Sequence, residues 1–159
     1  MFSKISLLAV FTMWLLVFCS AKLGLDEEIQ QIALPSQVKL NMLNHANSDA
    51  DKIRQFELLL NSEGFLRYRR TYSNGKQEYY SFNLMRTKAI YYLGNTVSGN
   101  LSIQTQEDDV IVQTFNDRSG NVDSMATYFR LPLISVEAED LVALNNDLFE
   151  MKRLLDRNK

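Results

Sequence analysis

The chain holds one histidine, one cysteine, one tryptophan and two prolines in 159 residues. A zinc shell drawn from cysteine and histidine cannot be completed with that inventory, and any Ser–His–Asp triad would have to use His45. That residue sits among Asn44, Ala46 and Asn47, a polar stretch that reads as surface rather than as a reactive centre. Charge of one sign is also scarce: 17 basic against 19 acidic side chains give a net −2. A nucleic-acid interface needs a basic surplus, so nucleic acid is not an expected partner. Glycine-rich phosphate loops, low-complexity tracts and repeats at a solenoid period are missing too, and no cofactor is implied. What remains is 46% apolar and 23% charged, the balance of one globular domain.

The one long hydrophobic run is at the start. Lys4 precedes an apolar stretch from Ile5 to Phe18, broken only by Ser6 and Thr12, and Cys19-Ser20-Ala21 follows. A charged head, an apolar middle and small residues at −3 and −1 of a cut after Ala21 make the layout of a secretory signal peptide. Two other readings compete: an uncleaved anchor, with residues 5–21 as a membrane tether, and a lipoprotein cut before Cys19. Bulky Phe18 stands against the latter. Cleavage after Ala21 would remove the only cysteine, which suits an oxidising compartment and excludes thiol chemistry. The expected location is exported, periplasmic or extracellular. Asn100-Leu101-Ser102 is a glycosylation sequon whose relevance depends on a eukaryotic source.

Residues 22–47 read as a linker with short helices: Leu25, Ile29 and Ile32 recur at helical spacing before Pro35, and Ser36 starts a second segment through Val38, Met42 and Leu43. The domain proper is expected over 48–159. Ser48-Asp49-Ala50-Asp51 resembles a capping box, and Ile53, Phe56, Leu59 and Leu60 share a helical face, predicting a helix from Asp49 to Ser62 that stops at Gly64.

Beyond Gly64 the period becomes two. Phe65–Tyr72 and Lys76–Leu84 flank Ser73-Asn74-Gly75, a hairpin signal. A two-residue turn would mix polar and apolar side chains on both faces. A three-residue loop with Gly75 left-handed instead puts Leu66, Tyr68, Tyr72, Tyr80, Phe82 and Leu84 on one face and sets Arg70 opposite Glu78. A one-residue slip exchanges the faces, so the segregated register is predicted. Ala89–Leu93 and Leu101–Gln106 form a second antiparallel pair. Asp109–Phe115 is the most apolar strand and belongs inside a sheet, Asn116–Asn121 is a polar turn, and Thr127–Ile134 carries Pro132, so it is an edge strand or ends there. Ser135 is an N-cap candidate for a last helix with acids at its start, Lys152, Arg153 and Arg157 at its end, and a stripe of Leu141, Leu144, Leu148, Met151 and Leu155. The stripe spans too few heptads for a coiled coil and is expected to pack on the protein's own sheet. The architecture predicted is α+β, an antiparallel meander of five or six strands covered by N-terminal helices and one C-terminal amphipathic helix.

Catalytic constellations are thin. Asp117, Asn121 and Asp123 lack the ordered ligand spacing of a calcium loop and read as a turn. Asp108 and Asp109 point to opposite faces of a strand, and Glu78 opposite Arg70 is structural, so no pair of acids faces a cleft. The cluster with binding chemistry is the outward hairpin face: Arg67, Arg69, Thr71, Tyr79, Ser81 and Asn83. Guanidinium forks hold carboxylate or phosphate, and tyrosine adds stacking and a donor. The function expected is a non-enzymatic binding or assembly module of the cell envelope, with Arg67, Arg69, Thr71, Tyr79 and Asn83 contacting an envelope protein, an anionic glycan or a lipid headgroup. No catalytic or metal residues are assigned. The alternative is a small carboxylate-dependent hydrolase or hydrophobic-ligand carrier, with Tyr68, Tyr80, Phe82 and Phe115 around a cavity in a curved sheet.

Overall fold

The fold starts from the hairpin whose register the sequence sets. In the computed structural model, which describes residues 24, 26–43 and 53–157, strands β2 (Phe65–Tyr72) and β3 (Gln77–Asn83) pair Arg70 with Glu78 and Tyr68 with Tyr80. The Tyr72 N–H donates to the Lys76 carbonyl at 2.9 Å, and Gly75 has φ +87°, the left-handed conformation that closes a three-residue loop. Leu66, Tyr68 and Phe82 consequently lie on the buried face.

Around this hairpin the chain forms two antiparallel sheets. The larger adds β1 (Ile53–Leu60), β6 (Val110–Phe115) and β7 (Asp123–Ala126) in the order β1-β2-β3-β6-β7. The smaller contains β4 (Thr87–Gly94), β5 (Ser98–Thr105) and β8 (Tyr128–Ile134) in the order β4-β5-β8. A short 3-10 turn, Leu84–Arg86, carries the chain from one sheet to the other. Pro132 sits in an edge strand, where its missing N–H faces no ladder partner. The inner faces meet at Phe129, whose ring is 6.0 Å from that of Tyr68 and 5.4 Å from that of Phe82.

Two helices among the described residues complete the layer structure. The first, α1, runs through residues 26–43 and buries Ile29, Ala33, Ser36, Leu40 and Leu43 at spacings that keep one face inward. The second, α2 (Ala138–Arg157), buries Leu144, Leu148, Met151, Leu154 and Leu155. They run antiparallel: Lys39 Nζ lies 2.5 Å from Asp140 near one end, and the charge of Glu28 acts on Arg153 near the other. The class is α+β, with eight antiparallel strands among the described residues where five or six were expected.

Four expectations change. The segment predicted as a helix from Asp49 to Ser62 is strand β1 over its described part, because Phe56, Leu58 and Leu60 also satisfy a period of two. Its outer edge is held by α1: the Leu60 N–H donates to Gln37 Oε1 at 2.8 Å, and Asn41 Nδ2 donates to the Leu58 carbonyl at 3.2 Å. Gly64, with φ +82°, belongs to the β1–β2 turn instead of ending a helix. Second, residues 26–43 form one helix through Pro35, not two short ones. An interior proline costs about 3 kcal/mol, whereas each buried Ile or Leu contributes roughly 1.5–3 kcal/mol, so the inward face outweighs it. Third, β7 is an added strand after the polar turn. Fourth, Ser135 has φ 52° and donates its N–H to the Val97 carbonyl, two residues ahead of any cap position of α2, so it is not the cap. The leader over 1–21, His45 and the Ser48–Asp51 box lie outside the described residues.

Candidate functional site

Alternation along β2 and β3 sends Arg67, Arg69, Thr71, Tyr79 and Ser81 to the outer face of the five-stranded sheet. Cross-strand pairing extends each position into a row. One row reads Leu59, Arg67, Ser81, Ile111 and Met125, and the next reads Glu57, Arg69, Tyr79, Gln113 and Asp123. Leu59, Ile111 and Met125 are 43%, 38% and 52% exposed, so no described element covers this face. Its centre is a shallow groove of about 210 Å³ lined by Glu57, Leu59, Arg67, Arg69 and Tyr79.

The two arginines differ. Arg69 Nη2 contacts Glu57 Oε2 at 2.6 Å, an ion pair about half exposed on both sides and therefore weak and exchangeable. Arg67 lies 5.7 Å above the Phe65 ring and has no carboxylate partner among the described residues. Tyr79 stands directly opposite Arg69.

The other expected residues separate from this centre. Thr71 pairs with Gln77 beside the turn, and Asn83 pairs with Phe65 at the far end. Six residues of strand, at about 3.3 Å each, put them roughly 20 Å apart, too far for one small ligand. Asn83 is also occupied: its Oδ1 accepts the Met85 N–H at 2.9 Å and its Nδ2 donates to the Glu63 carbonyl at 3.0 Å. Ser81 is buried under its neighbours. Leu59, Ile111 and Met125 were missed because the sequence does not say which strands flank the hairpin.

The inner face carries a different polar cluster. Arg70 Nη2 donates to Glu78 Oε2 at 2.5 Å, and that oxygen also accepts from the Tyr72 hydroxyl at 2.9 Å and the Tyr80 hydroxyl at 3.1 Å. The guanidinium lies 5.6–5.8 Å from the rings of Tyr68, Tyr72 and Tyr80. Lys76 Nζ bridges Glu78 at 3.1 Å and Asp117 at 2.8 Å. Burial pushes the Glu78 carboxyl up, but the Arg70 charge and the hydrogen bonds from Tyr72, Lys76 and Arg70 outweigh it and hold the group below its ordinary range. Burial raises Tyr72 to about 12.

Asp108, Asp109 and Asp117 are each engaged by a neighbour. Asp109 accepts from Arg86 Nε at 2.7 Å, and that hydrogen bond holds its carboxyl below the ordinary range. Asp108 accepts from the Thr127 hydroxyl at 2.8 Å. Asp117 bonds Lys76 and the Ser119 N–H, while Asn121 Oδ1 accepts the Asp117 N–H, a turn network. Among the described residues no three His, Cys, Asp or Glu side chains converge as for a metal ion, and no helix is long and apolar enough to cross a membrane. Tyr68 and Phe82 are packed core, and Phe115 is 46% exposed on the opposite face of the sheet. No family model matches the chain, and neither a curated protein nor a solved structure matches it.

Proposed function

We propose that this protein is an exported, non-enzymatic binding module of the cell envelope, and that the outer face of its five-stranded sheet holds an acidic protein partner. The observation that carries the reading is the uncovered centre of that face. Arg67, without a counter-ion among the described residues, and Arg69 in an exchangeable pair stand beside Tyr79, with Leu59, Ile111 and Met125 exposed around them. Arginine, tyrosine, methionine and exposed aliphatic side chains in one patch have the composition of a protein interface. A groove of about 210 Å³ lies below the roughly 300–1,000 Å³ of small-molecule sites, so a broad partner surface suits it better than a single sugar or headgroup. The charge, apolar run and small residues of 1–21 support export. Glu78 and Asp109 are engaged in ion pairs and Asp108 in a hydrogen bond from Thr127, which favours a binding role over a hydrolytic one for them.

The test is capture from envelope extract followed by affinity measurement with the captured protein. Arg67→Ala with Arg69→Ala removes two exposed side chains and is expected to shift stability by less than about 1 kcal/mol. Each charged hydrogen bond lost from the interface contributes roughly 1.5–3 kcal/mol, so affinity is expected to fall at least about 100-fold for the pair. Undiminished capture by the double variant rejects the assignment of this face. Mass spectrometry of the native N-terminus is expected to find Lys22, and an intact, untethered Met1 form in the cytoplasm rejects export.

A further inference from the structure

A second site lies on the other side of the larger sheet, where edge strand β8 stands over the inner face of β2 and β3. Arg70 and Tyr80 from the large sheet and Asn100, Tyr128, Arg130 and Pro132 from the small one line a cleft of about 450 Å³. Alternation along β8 puts Tyr128, Arg130 and Pro132 on one face, and Asn100 is the partner of Pro132 across β5. This volume, unlike that of the outer groove, falls inside the range of small-molecule sites.

The lining is charged in one sense only. It contains two guanidinium groups and no carboxylate. Glu78 neutralises Arg70 and fixes it through the 2.5 Å contact, with three tyrosine rings around the guanidinium, so that side chain is held in place before any ligand arrives. Arg130 is exposed and has no carboxylate partner among the described residues. An anion entering the cleft meets Arg130, a cation without a carboxylate partner among the described residues, beside a guanidinium already fixed and neutralised by Glu78. The rest of the lining is two tyrosines, an amide able to donate and accept, and a proline. Those groups suit a hydroxylated ring: a flat apolar face beside aromatic carbon, and hydroxyls beside Asn100 and the phenols.

We infer that this cleft binds an anionic sugar, a pyranose-sized ring bearing a carboxylate or a phosphate. The site is independent of the outer sheet face. Calorimetric titration of the full chain with glucuronate and with glucose 6-phosphate is expected to give saturable binding, with glucose and inorganic phosphate each at least about ten-fold weaker. Arg130→Ala and Asn100→Ala lie on exposed positions of β8 and β5 and are expected to leave the thermal midpoint unchanged. Arg130→Ala is expected to weaken both charged sugars about ten-fold or more, and Arg130→Glu to abolish binding. Arg67→Ala with Arg69→Ala is expected to leave it intact, which separates this site from the outer face. The inference is overturned if neither charged sugar saturates, if Arg130→Glu binds like the parent, or if inorganic phosphate binds as tightly as glucose 6-phosphate. Glucose binding as tightly as glucuronate overturns it as well.

Discussion

Truncation of Phe129 to alanine is expected to cost about 3–5 kcal/mol of unfolding free energy. Phe129 is fully buried and is the side chain of the three-stranded sheet that meets Tyr68, Tyr80 and Phe82 of the five-stranded one, at ring distances of 6.0, 6.2 and 5.4 Å. Removing it takes away the apolar burial and three aromatic contacts together, and the flanking rings belong to strands fixed by their own ladders, so the gap cannot collapse easily. A domain of ordinary stability has about 5–15 kcal/mol to lose. Urea unfolding is the measurement: the midpoint should fall sharply at an unchanged slope. Phe129→Leu keeps most of the volume and should lose much less, and Phe115→Ala, on a half-exposed ring, should lose under about 1 kcal/mol. A loss below about 1 kcal/mol for Phe129→Ala would mean that the two sheets are not joined through this ring.

The contrast between Phe129 and the hairpin shows what kind of information the chain carries locally. The β2–β3 register was legible because only one loop length sorts Leu66, Tyr68 and Phe82 from Arg67, Arg69 and Tyr79, and the same reasoning set Arg70 opposite Glu78. Strand β1 was not, since Ile53, Phe56 and Leu60 fit a helical face while Phe56, Leu58 and Leu60 fit a strand face. Pairing with β2 and the bonds from Gln37 and Asn41 decide between them, and both are long-range. Strand β7, with no fully buried residue, has little apolar signal of its own and depends on its ladder with β6. Proline 35 argued for a break that the inward face of α1 overrides. The candidate outer face was therefore half legible: Arg67, Arg69 and Tyr79 sit on one hairpin, whereas Leu59, Ile111 and Met125 arrive from β1, β6 and β7. The cleft was not legible at all, because Arg70 meets Arg130 only once one sheet is laid over the other.

Glu78 is the second position where a single change should be severe. Its side chain is 13% exposed and that of Arg70 is 19% exposed, so Glu78→Ala strands a guanidinium that water reaches poorly. Breaking such a pair from one side costs about 3–5 kcal/mol, and residual water access places this one toward the lower end. The companion Arg70→Met/Glu78→Leu variant removes both charges and should recover much of the loss, a coupling that a double-mutant cycle would read directly. The pair also fixes how stability depends on pH. Because the folded carboxyl is held below its ordinary value of about 4.3, the unfolded chain takes up the proton first. The contribution of Glu78 is then complete above about pH 5 and disappears as pH falls through the ordinary value to the depressed one. Tyr72 acts at the other limb: raised to about 12, it stabilises the fold below its ordinary value near 10 and loses that contribution as pH climbs through 12. Urea unfolding across both limbs should show Glu78→Gln flattening the acid slope and Tyr72→Phe flattening the alkaline one. If Glu78→Gln keeps the full acid slope, the titration belongs to Asp109, Asp117 or Glu150, whose carboxyls are also held low by Arg86, Lys76 and Arg153. The cluster would then contribute packing rather than charge.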